Sequence, residues 1–171
     1  MQTKGDYFGM DFEEKPQEDS GEIQLVSFLV GTEEFGADIL MVEEIIRMQP
    51  ITRVPNAPHF VEGVLNLRGK VIPIIDLRKR LNLGEAQNTR KTRIIVVNVG
   101  GKISGFIVDA VSQVLRIAKS TIEPPPPIVV AEIESEYITG VSKLQDRLLI
   151  LLDFSKILTK HEKKALVGVD A

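Results

Sequence analysis

Phe60-Val61-Glu62-Gly63-Val64-Leu65-Asn66-Leu67 and Tyr137-Ile138-Thr139-Gly140-Val141-Ser142-Lys143-Leu144 are one pattern written twice, with Gly63 returning at Gly140, an offset of 77. The following stretch repeats with them: Ile72-x-Ile74-Ile75-Asp76-Leu77 returns as Leu149-x-Leu151-Leu152-Asp153-Phe154. An earlier block repeats at an offset of 69, where Val30-Gly31, Gly36, Val42, Ile45 and Ile46 match Val99-Gly100, Gly105, Val111, Val114 and Leu115. The second copy therefore carries an insertion of eight residues, the difference of the two offsets, around Pro124-Pro125-Pro126-Pro127 and the acidic stretch after it. A repeat of this kind is one structural unit used twice, so matched positions read as scaffold and unmatched ones as candidates for function.

Glu22 to Val30 and Phe35 to Asp38 flank Gly31-Thr32-Glu33-Glu34, and Arg93 to Val99 and Lys102 to Val108 flank Gly100-Gly101. Both read as β-hairpins. Each is followed by a short apolar stretch, Ile39 to Met48 or Ala110 to Ile117, read as a helical turn running into a strand. Each unit then closes with a second hairpin, around Arg68-Gly69 or Gln145-Asp146, and ends in Asp76 or Asp153, which fit helix N-caps. About five short strands per unit predict a mainly all-β fold of two tandem five-stranded β-barrels, since closure removes exposed sheet edges. The expected division is a disordered acidic tail at 1–21, a domain at 22–160 with intertwined subdomains near 22–90 and 91–158, and a helical tail at 159–171.

Of the 171 residues, 43% are hydrophobic, enough for two compact cores that share an interface. The net charge of −3 hides an asymmetry: residues 1–21 hold six acidic residues against Lys4 and Lys15, a net −4, which leaves the rest near +1. A near-neutral body with 5% aromatics and no tryptophan argues against a nucleic-acid surface. Absence of cysteine removes disulfides and thiolate chemistry and fits a reducing compartment. The first residues lack the apolar core of a signal peptide, and the longest apolar runs, such as Leu148 to Leu152, are far short of a membrane span, so a cytoplasmic protein is expected.

Reactive constellations are sparse. The two histidines, His59 and His161, fall in different units without metal-ligand spacing, so no metal or cofactor is expected. Gly100-Gly101-Lys102-Ile103-Ser104-Gly105 lacks the order of a phosphate loop and is explained by a β-turn. Asp38, Asp76, Asp109 and Asp153 all lie at strand or hairpin ends, where turn and capping roles account for them. Arg78-Lys79-Arg80 and Arg90-Lys91 read as a solvated helix face and a loop, and the four prolines as a stiff connector. The loop Pro55-Asn56-Ala57-Pro58 has no counterpart in copy two and is expected to set how the units join.

Where the copies disagree, function is legible. Asn66-Leu67-Arg68-Gly69 faces Lys143-Leu144-Gln145-Asp146, so the fold does not require an arginine at the hairpin tip. Val42-Glu43-Glu44-Ile45 faces Val111-Ser112-Gln113-Val114, keeping the apolar frame while both carboxylates are unique to copy one. Arg68 is the leading functional charge, and an ion pair with Glu44 across a groove is expected.

The segment Val54-Pro55-Asn56-Ala57-Pro58-His59-Phe60 through Gly63-Val64-Leu65-Asn66-Leu67-Arg68-Gly69-Lys70-Val71-Ile72-Pro73-Ile74-Ile75-Asp76-Leu77-Arg78 resembles the signature of the CheW family of bacterial chemotaxis adaptors. Phe35-Gly36-Ala37-Asp38, Gly105-Phe106-Ile107-Val108-Asp109 and Tyr137-Ile138-Thr139-Gly140-Val141 extend the likeness to residues 22–160. The resemblance implies SH3-like barrels and a non-enzymatic scaffold. Its expected partners are the regulatory domain of the histidine kinase CheA and the cytoplasmic hairpin tip of transmembrane chemoreceptors, to whose arrays it would be recruited. It implies receptor contacts at Val42, Glu44, Ile45, Arg68 and Val114 and assigns no residue to the kinase. Arg93 departs from the apolar residue the family usually places at that strand start. Three alternatives remain open: an adaptor of another chemosensory array, a small-molecule sensor with a pocket between the barrels, and a hydrolase using scattered carboxylates.

Overall fold

The computed structural model describes residues 21–83, 87–125 and 137–157. The expectations for the acidic tail, for Pro126 and Pro127 with the acidic stretch after them, and for the C-terminal tail with His161 fall outside these residues. The described chain forms strands β1 (Glu22–Val30), β2 (Glu33–Asp38), β3 (Val42–Arg47), β4 (Val61–Leu67), β5 (Lys70–Asp76), β6 (Arg93–Val99), β7 (Lys102–Val108), β8 (Ala110–Ala118), β9 (Ile122–Glu123), β10 (Ile138–Lys143) and β11 (Leu148–Leu152). One helix, α1 (Leu77–Arg80), and 3-10 turns at 39–41, 119–121 and 154–156 complete it. The four hairpins lie where their turn residues place them.

Two sheets result, ordered β8-β1-β2-β11-β10-β9 and β3-β6-β7-β5-β4. The first closes because β8 and β9 are one run of chain bent at residues 119–121, with β8 paired to β1 and β9 to β10. The second closes the same way, since the chain leaving β3 returns to β4 through the bridge Thr52↔Val64. Each is thus a five-stranded barrel.

The sheets do not divide where the chain divides near residue 90. Hairpin β1–β2 belongs to the barrel of the second copy, joined by the parallel pairing of β2 with β11. Hairpin β6–β7 belongs to the barrel of the first, joined by the parallel pairing of β5 with β7. The repeats have exchanged their opening hairpins, so neither contiguous half contains a closed sheet.

Strand alternation then makes three cores. Leu25, Leu149 and Leu151 face inside one barrel, and their repeat mates Ile94, Ile72 and Ile74 inside the other. Neighbours in sequence turn the opposite way into the largest core, between the barrels, where Val26, Ile95, Ile75 and Leu152 meet. There Phe28 stacks on Phe35 and Phe154 at 6.0 Å each, and Phe154 lies 4.8 Å from Phe106 of the other barrel. Gly63 shows why the pattern keeps glycine: its φ is +149°, and a Cβ would stand 2.0 Å from the Thr52 carbonyl oxygen at the closing bridge.

Candidate functional site

Three of the five candidate residues, Val42, Glu44 and Ile45, lie on two faces of one strand, β3. In β3 a bulge inserts Glu43, so that Val42 pairs with Val97 while Glu44 pairs with Val96. Val42 and Ile45 consequently turn into the core between the barrels, where they are 2% and 5% exposed. Glu44 turns the other way, towards the mouth of the first barrel. It borders a shallow pocket of about 280 Å³ with Leu67, Ile72, Val96 and Ile103. Arg68 reaches over this mouth from the β4–β5 tip, and its Nη2 donates to Glu44 Oε2, the ion pair expected from the sequence. Val114, on β8, packs partly buried against the rim of the inter-barrel core. Of the five residues, then, Glu44 and Arg68 meet, Val42 and Ile45 support the strand from beneath, and Val114 stands on the equivalent strand of the other barrel.

The turn carrying Arg68 is strained. Arg68 has φ +51° and Gly69 φ +88°, the two left-handed residues of a two-residue hairpin turn. Asn66 Oδ1 accepts from Gly69 N at 2.9 Å and fixes the tip. A left-handed residue other than glycine or asparagine costs about 1–2 kcal/mol, so the side chain is held at a cost to the fold. Glu43 accepts from Asn98 Nδ2 at 3.4 Å, which sets a second carboxylate beside the pair.

Two basic residues are not where their sequence pattern puts them. Arg78 and Arg80 of α1, expected on a solvated face, are 3% and 8% exposed. Arg78 Nε and Nη2 donate to the two oxygens of Asp76 at 2.9 and 3.1 Å, Nη1 donates to Asp109 at 3.1 Å, and Nη2 donates also to Asn88 at 2.9 Å. Asp109 in turn accepts from Gly31 N at 2.6 Å, so the cluster ties the first turn of one barrel to the last strand of the other. Burial opposes the charge on Arg78, but Asp76 and Asp109 outweigh it and raise the guanidinium pKa. Arg80 lies 5.6 Å from the ring of Phe60 and 5.8 Å from that of Tyr137, the repeat-equivalent aromatics of the two units. Asp76 is two residues away, but Asp109 and Tyr137 come from the other repeat, which is why the charge run alone reads as surface.

The caps are as expected. Asp38, Asp76 and Asp153 accept from the amides of Leu40, Arg78 and Ser155. Among the described residues no three His, Asp or Glu side chains gather to hold a metal, and no helix is long and apolar enough to cross a membrane.

Two barrels that exchange their opening hairpins around a shared core define a double β-barrel domain. Comparison with known proteins places it further: the CheW-like domain profile matches residues 24–162, and the chain belongs to that family. It is 41% identical over 139 residues to the chemotaxis protein CheW of Klebsiella aerogenes, spanning 81% of this chain and 83% of that one. It is 32% identical over 146 residues to protein FrzA of Myxococcus xanthus, spanning 84% and 90%. The crystal structure of the scaffolding protein TtCheW from Thermoanaerobacter tengcongensis superposes with a TM-score of 0.71 at 39% identity, covering 76% of this chain and 88% of that one.

Proposed function

We propose that this chain is a non-enzymatic cytoplasmic scaffold that couples the hairpin tip of chemoreceptors to the regulatory domain of the histidine kinase CheA. Membership of the CheW-like family across residues 24–162 carries this reading. The receptor contact is the β3 edge, where the exposed Arg68 and half-buried Glu44 offer a charged pair beside apolar Leu67 and Ile103. Val42 and Ile45 hold that edge in place from the core, and Val114 extends the contact onto β8. That the fold tolerates a strained arginine at the tip, where copy two has Gln145, favours a role for Arg68 outside folding. The exposed, repeat-equivalent Val71 and Leu148 give each barrel an apolar position on which a kinase barrel would pack.

Such contacts are smaller than a standard interface of about 1,600 Å², so each binds weakly and the assembly draws strength from many copies at once. Signal passes as a change in relative position or affinity, because the adaptor supplies no bond chemistry. An array of another chemosensory pathway would use the same surfaces. Co-sedimentation of the chain with a receptor cytoplasmic fragment and with the kinase regulatory domain, separately and together, tests the reading. Arg68→Glu should lose the receptor and keep the kinase at a nearly unchanged Tm; a variant that unfolds would make Arg68 part of the scaffold instead.

A further inference from the structure

The two barrels have equivalent mouths, and the chain fills them differently. The first mouth is the shallow pocket that Glu44 and Arg68 border, with Leu67, Ile72, Val96 and Ile103 as its apolar wall and Lys70 beside them. At the repeat offsets of 77 and 69, Leu67 and Ile72 return in the second barrel as Leu144 and Leu149, so that part of the wall is scaffold. Val96, Ile103 and Lys70 return as Ser27, Glu34 and Arg147, a change from apolar to polar at two of the three. The strand registers agree with the match: Val96 pairs with Gly105 as Ser27 pairs with Gly36, and Ile103 with Asn98 as Glu34 with Leu29.

In the second barrel the three polar residues satisfy one another. Ser27, fully buried, donates from Oγ to Glu34 Oε2 at 2.9 Å, and Arg147 Nε donates to Glu34 Oε1 at 2.5 Å. Arg147 Nη1 also donates to Asp146 Oδ1 at 2.9 Å, which ties the guanidinium to the β10–β11 tip. The Glu34 side chain is only 11% exposed, so its carboxylate needs these partners. The first barrel has the same strands without this pairing. Of the charges around its mouth, Arg68 and Glu44 pair with each other and Glu43 accepts from Asn98 Nδ2. Lys70 is exposed and, among the described residues, meets no carboxylate.

We propose that Ser27, Glu34 and Arg147 restrict receptor docking to one barrel, because they fill in the second mouth the place that an aliphatic side chain and a neighbouring carboxylate of the receptor take in the first. The aliphatic group covers Val96 and Ile103, and the carboxylate meets Lys70 as Glu34 meets Arg147. To admit the same ligand, the second mouth would have to break the hydrogen bonds of Ser27 and Arg147 and strand the Glu34 carboxylate. Specificity between the two mouths is therefore built by an internal competitor as much as by attraction to the first. This assignment, which rests on the receptor reading of the Arg68 site, makes the adaptor take one receptor segment although its fold is double.

Titration of the full-length, methyl-labelled protein with a receptor cytoplasmic fragment tests this. The methyl signals of Ile72, Val96 and Ile103 should move, and those of Leu144 and Leu149 should not. Carrying the second mouth's residues into the first, as Val96→Ser, Ile103→Glu and Lys70→Arg together, should weaken binding about tenfold or more, the worth of one buried aliphatic side chain, in a protein with the circular dichroism of the natural chain. Lys70→Glu, at an exposed position where folding is not at stake, should weaken it several-fold. The reverse exchange, Ser27→Val, Glu34→Ile and Arg147→Lys with Gln113→Glu and Gln145→Arg, should let a second fragment bind and move the Leu149 methyls. The proposal would be overturned, with the scaffold reading left standing, by a fragment that binds while the first mouth's methyls stay still, by an unchanged affinity in Lys70→Glu or in the folded triple exchange, or by a folded reverse exchange that still takes one fragment. A natural chain that binds no fragment would overturn both.

Discussion

Replacing Arg78 with methionine removes the cation that, among the described residues, pairs with both Asp76 and Asp109, two carboxylates that approach the same guanidinium from different repeats. Four hydrogen bonds go with it, at 2.9, 3.1, 3.1 and 2.9 Å, and all involve a group almost wholly out of water. Breaking a buried ion pair from one side costs about 3–5 kcal/mol, because the partner charge stays buried and uncompensated. Domains of this kind are stable by roughly 5–15 kcal/mol in total. Urea unfolding of Arg78→Met should therefore show its midpoint lowered by roughly 2 M, taking a slope near 2 kcal/mol/M, with the slope unchanged. Arg78→Lys should fall between the two proteins, since an ammonium keeps the charge but cannot bridge Asp76 and Asp109 as a fork. Salt should alter the loss little, as buried pairs are poorly screened. A loss below about 1 kcal/mol, the range of surface pairs, would refute the reasoning and return Arg78 to the solvated face its sequence suggests.

Arg68→Asn should bind receptor fragment at least several-fold more weakly while leaving stability equal or slightly higher. Asparagine tolerates the left-handed turn conformation that strains arginine, and the lost pair with Glu44 is exposed; a melting curve beside the binding isotherm checks both. Gly63→Ala should fail to yield a folded protein, judged by circular dichroism, because its Cβ would collide with Thr52 backbone at the barrel closure. Asp153→Ala should cost about 1 kcal/mol in urea unfolding, the usual value of a lost N-cap, since its Oδ1 accepts from Ser155 N at 2.9 Å and Ser155 Oγ at 2.6 Å.

The barrels were legible because their signals are local. Gly100-Gly101 sits in the turn between β6 and β7, and strand alternation marks the faces of Ile94 to Val97. The apolar stretches after the first hairpins were read alike, yet the chain makes a 3-10 turn before β3 and runs straight through β8. Asp38 caps that turn from a position where the second copy has Ile107, which has no oxygen to offer. The exchange of hairpins between copies leaves no local mark, because both copies present the same pairing edges. The same holds for Arg78 and Arg80, whose partners Asp109 and Tyr137 are supplied by the other repeat. At the site, the Glu44–Arg68 pair followed from comparing copies. The bulge at Glu43, which parts Glu44 from Val42 and Ile45, appears only in the register of β3 with β6.

The most direct measurement is simultaneous binding: sedimentation of the full chain with a receptor cytoplasmic fragment and the kinase regulatory domain in one mixture, for the natural sequence and for Arg68→Asn. The scaffold account expects one species holding all three proteins, and for the variant a complex with the kinase alone. Two partners that exclude each other, or a variant that still carries the receptor, would contradict it.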